Sequence, residues 1–343
     1  MRIACLLAGG CCLLLLTSCL RRETEEPGLA EEMQLIAFNS ERDGNSEIYV
    51  MRVDRSEPRR LTDDPAYDAW PSWSPDGSEI AFSSTRSGNP DIYVMDADGG
   101  NIRQITHHTS GDIWPEWSPD GRRLAFTSRR DGNWEIYTAD VDGTNLRRLT
   151  ETAAHEDFPA WSPDGSRIVF CRMEGDDGTY VMNSDGGDVQ KLLETQGLEY
   201  SWSPDGERIA FGSDHGGFRG IYTIRADGSD LQLLSTTYAG ENCPDWSPDG
   251  ARIVFASWRD GDGEIYVMDA DGSNLQKLTD NDFEEEFPSW RPGGELSLGF
   301  RGLKGRNVGE ETGGVSQGDG AGRRRGVVPC LGMRVDNSLL GFE

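Results

Sequence analysis

Short apolar runs, separated by turn residues, follow one another along most of the chain. Ile80-Ala81-Phe82 and Ile92-Tyr93-Val94-Met95 are two of these runs, and Asp98-Gly99 follows the second. Such runs are too short for helices, their β-branched and aromatic residues favour strands, and Asp-Gly is a typical hairpin turn. Side chains alternate along a strand, so the second run is apolar on both faces. The pattern therefore predicts small sheets that are covered on both sides.

A five-residue motif gives these strands a fixed period. Trp73-Ser74-Pro75-Asp76-Gly77 recurs at Trp117, Trp161, Trp202 and Trp246, and Trp290 begins a degenerate copy, at intervals of 44, 44, 41, 44 and 44 residues. A period of this length indicates an array in which each unit is one supersecondary element. Ser-Pro-Asp-Gly suits a tight turn, so each unit is predicted to contain four short antiparallel strands. Repeated four-stranded sheets packed around an axis form a β-propeller.

The two ends of this array complement each other. The first unit begins at Leu35 without a Trp-containing strand, and the strand that ends at Trp290 has no full unit behind it. We therefore predict an all-β, six-bladed propeller over residues 33–290. Residues 287–290 would supply the inner strand of the blade formed by residues 34–62. This closure removes the open sheet edges along which proteins aggregate.

The repeat has a specific resemblance. In order, it reads Pro-x-Trp-Ser-Pro-Asp-Gly, Ile-Ala-Phe, Arg-x-Gly, Ile-Tyr-Val-Met, Asp-Gly and Leu-Thr, and it resembles the repeat of TolB-type propellers. These are the six-bladed propellers of the bacterial Tol system and its relatives. The resemblance covers residues 33–290. It implies recognition of a partner protein at the channel mouth, because that family binds protein partners with its propeller.

The N-terminus has the features of a secretory signal. Arg2 precedes an apolar run at residues 13–16, and Leu16-Thr17-Ser18-Cys19 matches a bacterial lipobox. We predict a signal peptide at residues 1–18, a lipidated Cys19 and a tether at residues 19–32, which would anchor an extracytoplasmic, periplasmic protein to the cell envelope. The alternative is an ordinary signal peptide with an incidental cysteine. Residues 291–343 lose the period and are predicted to form a disordered tail.

The formal net charge of −27 argues against one class of partner. Phosphate binding requires clustered Lys and Arg, so no nucleic acid is expected, and membrane contact is expected only through the lipid. Cys171, Cys243 and Cys330 remain after Cys19, and no common spacing indicates a disulfide framework or a zinc site. We predict a monomeric propeller without a cofactor.

One face of the predicted propeller carries candidate binding residues. The Ser-Pro-Asp-Gly and Asp-Gly turns fall on the other face, where turn formation accounts for them. Five positions before each inner-strand Trp stand Asp68, Asp112, Glu156, Glu241 and Glu285, with Gly197 in the shortened unit. Three positions before it stand Trp70, Trp114, Phe158, Cys243 and Phe287. We predict that the acids ring the channel mouth and, with the aromatic residues, bind a partner.

The sequence also allows other roles on this face. Arg42, Arg86, Arg130 and Arg259 are predicted to lie further out and to pair with the acids as staples between blades. An enzyme, or a carbohydrate- or peptide-binding propeller, would also use an acidic and aromatic rim. A catalytic carboxylate pair would break the repeat, however, and these acids follow it. The histidines, His107, His108, His155 and His215, lack the spacing of metal ligands. The pattern therefore favours protein binding without catalysis.

Overall fold

The computed structural model describes residues 34–55, 58–217 and 219–293. The predicted signal peptide, Cys19, the tether and the tail after residue 293 lie outside the described residues. Within the described ranges the chain consists of strands and a short 3₁₀ helix at His215–Gly217. No helix in this part of the chain is long and apolar enough to cross a membrane.

Twenty-four strands form six four-stranded antiparallel sheets in the described ranges, and the strands of each blade follow one another from the channel outwards. Blade 1 contains β24 (Glu285–Trp290), β1 (Leu35–Ser40), β2 (Glu47–Arg52) and β3 (Arg59–Arg60), and blade 2 contains β4 (Asp68–Trp73), β5 (Glu79–Ser84), β6 (Asp91–Asp96) and β7 (Arg103–Gln104). Blade 3 contains β8 (Asp112–Trp117), β9 (Arg123–Ser128), β10 (Glu135–Asp140) and β11 (Arg147–Arg148), and blade 4 contains β12 (His155–Trp161), β13 (Arg167–Met173), β14 (Gly178–Asn183) and β15 (Gln190–Leu193). Blade 5 contains β16 (Leu198–Trp202), β17 (Arg208–Ser213), β18 (Gly220–Arg225) and β19 (Gln232–Thr236), and blade 6 contains β20 (Glu241–Trp246), β21 (Arg252–Ser257), β22 (Glu264–Asp269) and β23 (Gln276–Lys277).

The ring closes within blade 1, as predicted. β24 pairs antiparallel with β1, from Ile36 opposite Trp290 to Ser40 opposite Glu285. The strand begins at Glu285, two residues before the predicted start. Arg291 extends the closure into blade 2, since its Nε donates a hydrogen bond to the Gly77 carbonyl at 2.9 Å. The two chain ends of the propeller are thereby held in one sheet.

The core lies between neighbouring blades. The second strand of each blade places a phenylalanine there, and all six are fully buried: Phe38, Phe82, Phe126, Phe170, Phe211 and Phe255. Between blades 1 and 2, for example, Ile48 and Val50 pack with Trp73 and Phe82. The Trp73 and Trp117 indoles also donate to a main-chain carbonyl of the preceding blade, at 3.2 and 3.1 Å. Both faces of each sheet are therefore covered, which explains why the strands are apolar on both sides.

The repeated turns are built from side-chain hydrogen bonds. The Ser74 hydroxyl accepts from the Glu79 amide at 2.9 Å and donates to Asp76 Oδ1 at 2.7 Å. Gly77 has a φ of +65°, a left-handed conformation that glycine adopts at little cost. These turns and the Asp-Gly hairpins lie on one face, which we call the turn face. The other two connections of each blade lie on the opposite face, which we call the arginine face.

Candidate binding channel

The five acids of the predicted rim are buried. The side chains of Asp68, Asp112, Glu156, Glu241 and Glu285 have no exposed surface. Each is paired with an arginine of its own blade: Asp68 with Arg86, Asp112 with Arg130, Glu156 with Arg172, Glu241 with Arg259, and Glu285 with Arg42. The acids predicted to ring the channel mouth are therefore not exposed, because each carboxylate lies beneath a guanidinium group. The arginine staples exist, but they act within blades and not between them.

The pair in blade 3 shows how such a staple works. Arg130 Nη2 donates to both carboxylate oxygens of Asp112 at 2.9 Å, and Arg130 Nε donates to the Ser128 hydroxyl at 2.8 Å. The guanidinium carbon lies 4.8 Å from the centre of the Tyr137 ring. The arginine thus fixes the inner strand to the next two strands, and its side chain is 13% exposed.

A second layer of buried acids begins the third strands of four blades. These acids are Glu47, Asp91, Glu135 and Glu264. They were not among the predicted residues, although an acid precedes Ile-Tyr in each of these units. Glu135 lies close to Glu156 of the following blade. Burial, reinforced by the Glu135 carboxylate, raises the pKa of Glu156 to about 7. Carboxyl groups of adjacent blades are therefore electrostatically coupled.

A bulge in every inner strand turns one side chain into the channel. The residue three positions before each Trp has a positive φ, between +47° and +59°, and pairing with the second strand is interrupted there. The six residues, which we call the channel ring, are Trp70, Trp114, Phe158, Glu199, Cys243 and Phe287. A left-handed conformation costs a non-glycine residue roughly 1–2 kcal/mol, so the closed ring imposes it. Glu199 belongs to the shortened unit and was not among the predicted residues.

Four aromatic members of the channel ring meet at the propeller axis. The Trp70 and Trp114 ring centres are 4.4 Å apart, and Trp114 lies 4.7 Å from Phe158. Trp114 also contacts Phe287 at 5.1 Å, although their blades are separated by blade 2. The aromatic rings therefore plug the channel from one side. Glu199 and Cys243 complete the ring in blades 5 and 6.

A cavity of about 280 Å³ lies beside this aromatic plug. Its wall includes prolines of three Ser-Pro-Asp-Gly-type turns, Pro163, Pro248 and Pro292, so it lies towards the turn face. The residues one position before each Trp also belong to this part of the inner strands: Ser72, Glu116, Ala160, Ser201, Asp245 and Ser289. From the sequence, this face was predicted to serve turn formation alone. The structure adds a concave cavity to that face.

Two carboxylates of the cavity break the repeat. Glu116 and Asp245 stand in blades 3 and 6, on opposite sides of the axis, where other units have Ser or Ala. Glu116 Oε2 accepts from the Ser72 hydroxyl at 2.9 Å, and Asp245 accepts from the Ser201 hydroxyl and the Trp290 amide, both at 2.7 Å. Burial raises the pKa of Glu116 to about 8 and that of Asp245 to about 6. Departure from the repeat is the sequence signal that could have identified them.

Further carboxyl groups surround the channel. Burial raises the pKa of Glu199 to about 7 and that of Asp157 to about 7. Burial also raises the pKa of Glu286 to about 8, with contributions from Glu284, Glu199 and Glu41. Charged forms are disfavoured at each of these positions because water is excluded, and neighbouring carboxylates add to the effect at Glu286 and Glu199. Poorly solvated carboxyl groups thus surround the channel.

The histidines do not form a metal site with these acids. His155 Nδ1 accepts from the Trp134 amide at 3.1 Å, and its Nε2 lies 3.3 Å from Glu174 Oε2. His215 Nδ1 lies 3.2 Å from the Thr195 hydroxyl. Across the described residues, no three His, Cys, Asp or Glu side chains are grouped so that they could hold a metal ion.

The structure is a closed six-bladed β-propeller. Each blade has four strands, β24 completes blade 1, and aromatic rings plug the axial channel. The chain belongs to the TolB beta-propeller domain family, whose model matches residues 21–157 and 110–290. No curated protein matches the chain significantly.

Solved structures share this fold. The crystal structure of TolB from Acinetobacter baumannii is 25% identical, with a TM-score of 0.68 over 77% of this chain and 68% of that chain. A putative TolB from Agrobacterium tumefaciens is 24% identical, with a TM-score of 0.61 over 74% of this chain and 90% of that chain. Oligogalacturonate lyase from Vibrio parahaemolyticus is 18% identical, with a TM-score of 0.50 over 70% and 73%. The last two likenesses concern the fold alone.

Proposed function

We propose that this protein is an interaction module of the bacterial cell envelope and that it binds a segment of a partner protein in the turn-face cavity. The observation that carries this proposal is the cavity beside the aromatic plug. Concave sites with an apolar lining and a few polar groups are the usual form of binding sites. Membership of the TolB propeller family supports a protein partner, although a fold alone does not identify one.

The residues first predicted to bind a partner then divide into two groups. Trp70, Trp114, Phe158 and Phe287 line the cavity, so they contact the partner directly. Asp68, Asp112, Glu156, Glu241 and Glu285 are buried, so their contribution is indirect. They fix the arginines and inner strands that hold the channel ring in place.

A cavity-filling substitution tests this proposal. Ser289→Trp places a large side chain in the cavity, whereas Ser273→Trp places the same side chain on an exposed hairpin of the turn face. Immobilised residues 20–343, made without lipid, are used to capture envelope proteins, which are identified by mass spectrometry. We expect both wild type and Ser273→Trp to retain a specific protein that Ser289→Trp loses. Equal capture by both variants would place the binding surface elsewhere.

A propeller that binds or hydrolyses a carbohydrate or a peptide is the second candidate. Glu116 and Asp245 favour it, because they break the repeat and their pKa values of about 8 and about 6 differ in the manner of an acid and a base. Assays with chromogenic glycosides and peptides at pH values between about 5 and 9 test this candidate. If the wild-type protein turns over one of these substrates and Glu116→Gln does not, the protein is an enzyme and the non-enzymatic proposal is wrong.

The localisation is also a proposal. Cys19, in the sequence Leu16-Thr17-Ser18-Cys19, would carry the lipid that holds the propeller at the periplasmic side of an envelope membrane. A single acyl chain binds membranes only marginally, so stable anchoring needs more than one chain. We expect the wild-type protein to sediment with membranes and Cys19→Ser to be released or left unprocessed. Equal sedimentation of both would contradict the anchor.

A further inference from the structure

The turn-face cavity differs from other acidic parts of the protein because the described residues that line it include no cationic side chain. Glu116, Asp245 and Glu199 line it, and no Lys, Arg or His of the described ranges does. By contrast, each acid of the five staples lies against an arginine of its own blade. A poorly solvated carboxylate without a countercharge is unfavourable in its charged form, so a cation that enters this cavity would favour ionisation of its acids.

Glu116 and Asp245 are held in position by hydrogen bonds from neutral donors. The partners of Asp245 are the neutral Ser201 hydroxyl and Trp290 amide. Glu116 Oε2 takes one bond from Ser72, and Oε1 has no donor in the described part of the chain. Glu199 Oε2 is buried without a hydrogen-bond partner in the same part. A donor that carries positive charge would satisfy these oxygens and would favour the ionised carboxylates.

The aromatic plug also favours one kind of ligand for this cavity. Trp70, Trp114, Phe158 and Phe287 line the same cavity. Aromatic faces attract cations within about 6 Å, and ammonium groups are recognised by such rings together with acids. Apolar ring surface also favours an alkyl chain over a fully hydrated ion.

We propose that the turn-face cavity binds an alkylammonium group, with Glu116 and Asp245 as its counterions and the aromatic plug as the surface for its alkyl chain. The group belongs to a lysine side chain of a partner protein or to a free amine. The lysine source rests on the proposed function, whereas the free-amine source does not. The amine donates hydrogen bonds to the carboxylate oxygens on opposite sides of the axis.

The dimensions and ligand set favour an ammonium over a divalent metal. A cavity of about 280 Å³ has room for roughly nine water molecules at liquid density, which exceeds the volume of a butylammonium ion. Calcium requires about six to eight oxygen ligands at short distance, and the two carboxylates lie in blades on opposite sides of the axis. An ammonium requires only two or three acceptors and tolerates aromatic neighbours.

Butylammonium, the side-chain analogue of lysine, is the first probe, and butanol is its neutral counterpart. Binding is measured by calorimetry and by the fluorescence of the channel tryptophans. The variant Glu116→Gln/Asp245→Asn removes both counterions, and Glu151→Gln/Glu207→Gln removes the same charge from exposed positions. We expect saturable binding of butylammonium to wild type and the exposed-charge control. The cavity variant should bind at least tenfold more weakly, and butanol should not compete.

A second experiment distinguishes the two sources. A short acetylated Gly-Gly-Lys-Gly-Gly peptide is compared with its norleucine counterpart. Tighter binding of the lysine peptide than of butylammonium identifies a polypeptide ligand, and exclusion of the peptide identifies a free amine; both outcomes support the ammonium site.

The inference is overturned if butylammonium shows no saturable binding, if both double variants bind it equally, or if calcium binds in its place. If butylammonium does not bind but Ser289→Trp still abolishes partner capture, the ammonium site is wrong and the proposed function stands. The two proposals can therefore fail separately.

Discussion

At the scale of single residues, the burial of acids is the dominant electrostatic feature of this propeller. Asp112 has no exposed surface, yet both of its carboxylate oxygens accept hydrogen bonds from Arg130. Removing one member of a buried ion pair leaves the other charged and unsolvated, which costs more than the pair contributes. Burial also raises the pKa values of Glu116 and Asp245, whose hydrogen-bond donors are neutral.

The substitution Arg130→Met tests the staple. It leaves Asp112 without a countercharge, and we expect it to lower the free energy of unfolding by about 3–5 kcal/mol. The exposed neighbour Arg129 provides the control, because Arg129→Met should change stability by about 0.5 kcal/mol or less. Urea unfolding of both variants measures the difference. Similar losses in the two variants would show that the pair contributes no more than a surface ion pair.

At the scale of strands and turns, the hairpins also hold neighbouring blades together. A Cβ atom added to Gly143 would lie 2.6 Å from the carbonyl oxygen of Ile105 in blade 2. Glycine is therefore required at this turn for two reasons, its φ of +82° and the close approach of another blade. The Asp-Gly turn signal in the sequence reflects only the first of these.

The variants Gly143→Ala and Gly216→Ala separate these two reasons. Gly216 has a similar φ of +77°, but an added Cβ would meet nothing within 4 Å. We expect Gly216→Ala to cost roughly 1–2 kcal/mol from the left-handed backbone alone. Gly143→Ala should cost clearly more, because its methyl group forces two blades apart. Equal unfolding free energies for the two variants would show that the two blades move apart at this contact without a measurable loss of stability.

Closure of the ring by β24 is the other feature at this scale. Ending the chain after Gly293 keeps β24 and the Arg291 hydrogen bond to blade 2, so stability should be nearly unchanged. Ending it after Asp282 removes β24 and uncovers the edge of β1, and we expect the melting temperature to fall by roughly 10 °C or more. Calorimetry of the two truncated proteins measures the effect. Matching melting temperatures would contradict a closure that stabilises the ring.

At the scale of the whole molecule, two populations of carboxyl groups set the pH dependence of stability. Hydrogen bonds in exposed turns lower the pKa of Asp164 to about 2, and they also lower the pKa values of Asp76 and Asp120. Burial raises the pKa of Glu286 to about 8 and that of Asp157 to about 7. The turn acids stabilise the fold only when they are ionised, whereas the buried acids destabilise it when they ionise.

We therefore expect the free energy of unfolding to be greatest at about pH 5 and to decline towards about pH 8. In that interval the folded state binds more protons than the unfolded state, because the buried acids retain theirs, so stability falls as pH rises. Below about pH 4 the turn acids become protonated, and stability falls again. Urea midpoints across this range measure the profile. Glu286→Gln should flatten the alkaline decline, and a midpoint that increases steadily to about pH 8 would contradict the assignment.

The sequence alone determined the architecture. Its period of 44 residues, the Trp-Ser-Pro-Asp-Gly turns and the complementary ends sufficed for six blades and a β24–β1 closure. These features could be predicted because turn chemistry and strand alternation act between residues near one another in the chain. The repeated arginines and acids were also recognised as potential pairs, because their spacing is regular.

Only the tertiary structure decided where the binding surface lies. The left-handed bulge turns Trp114 into the channel, where it meets Phe287 of a blade two positions away around the ring. Ring closure brings Glu116 and Asp245 to one cavity although 129 positions of sequence separate them. Packing within blade 3 buries Asp112 under Arg130, so the acids do not form an exposed rim. Exposure and charge compensation depend on contacts between distant residues, and the local pattern of a repeat does not contain them.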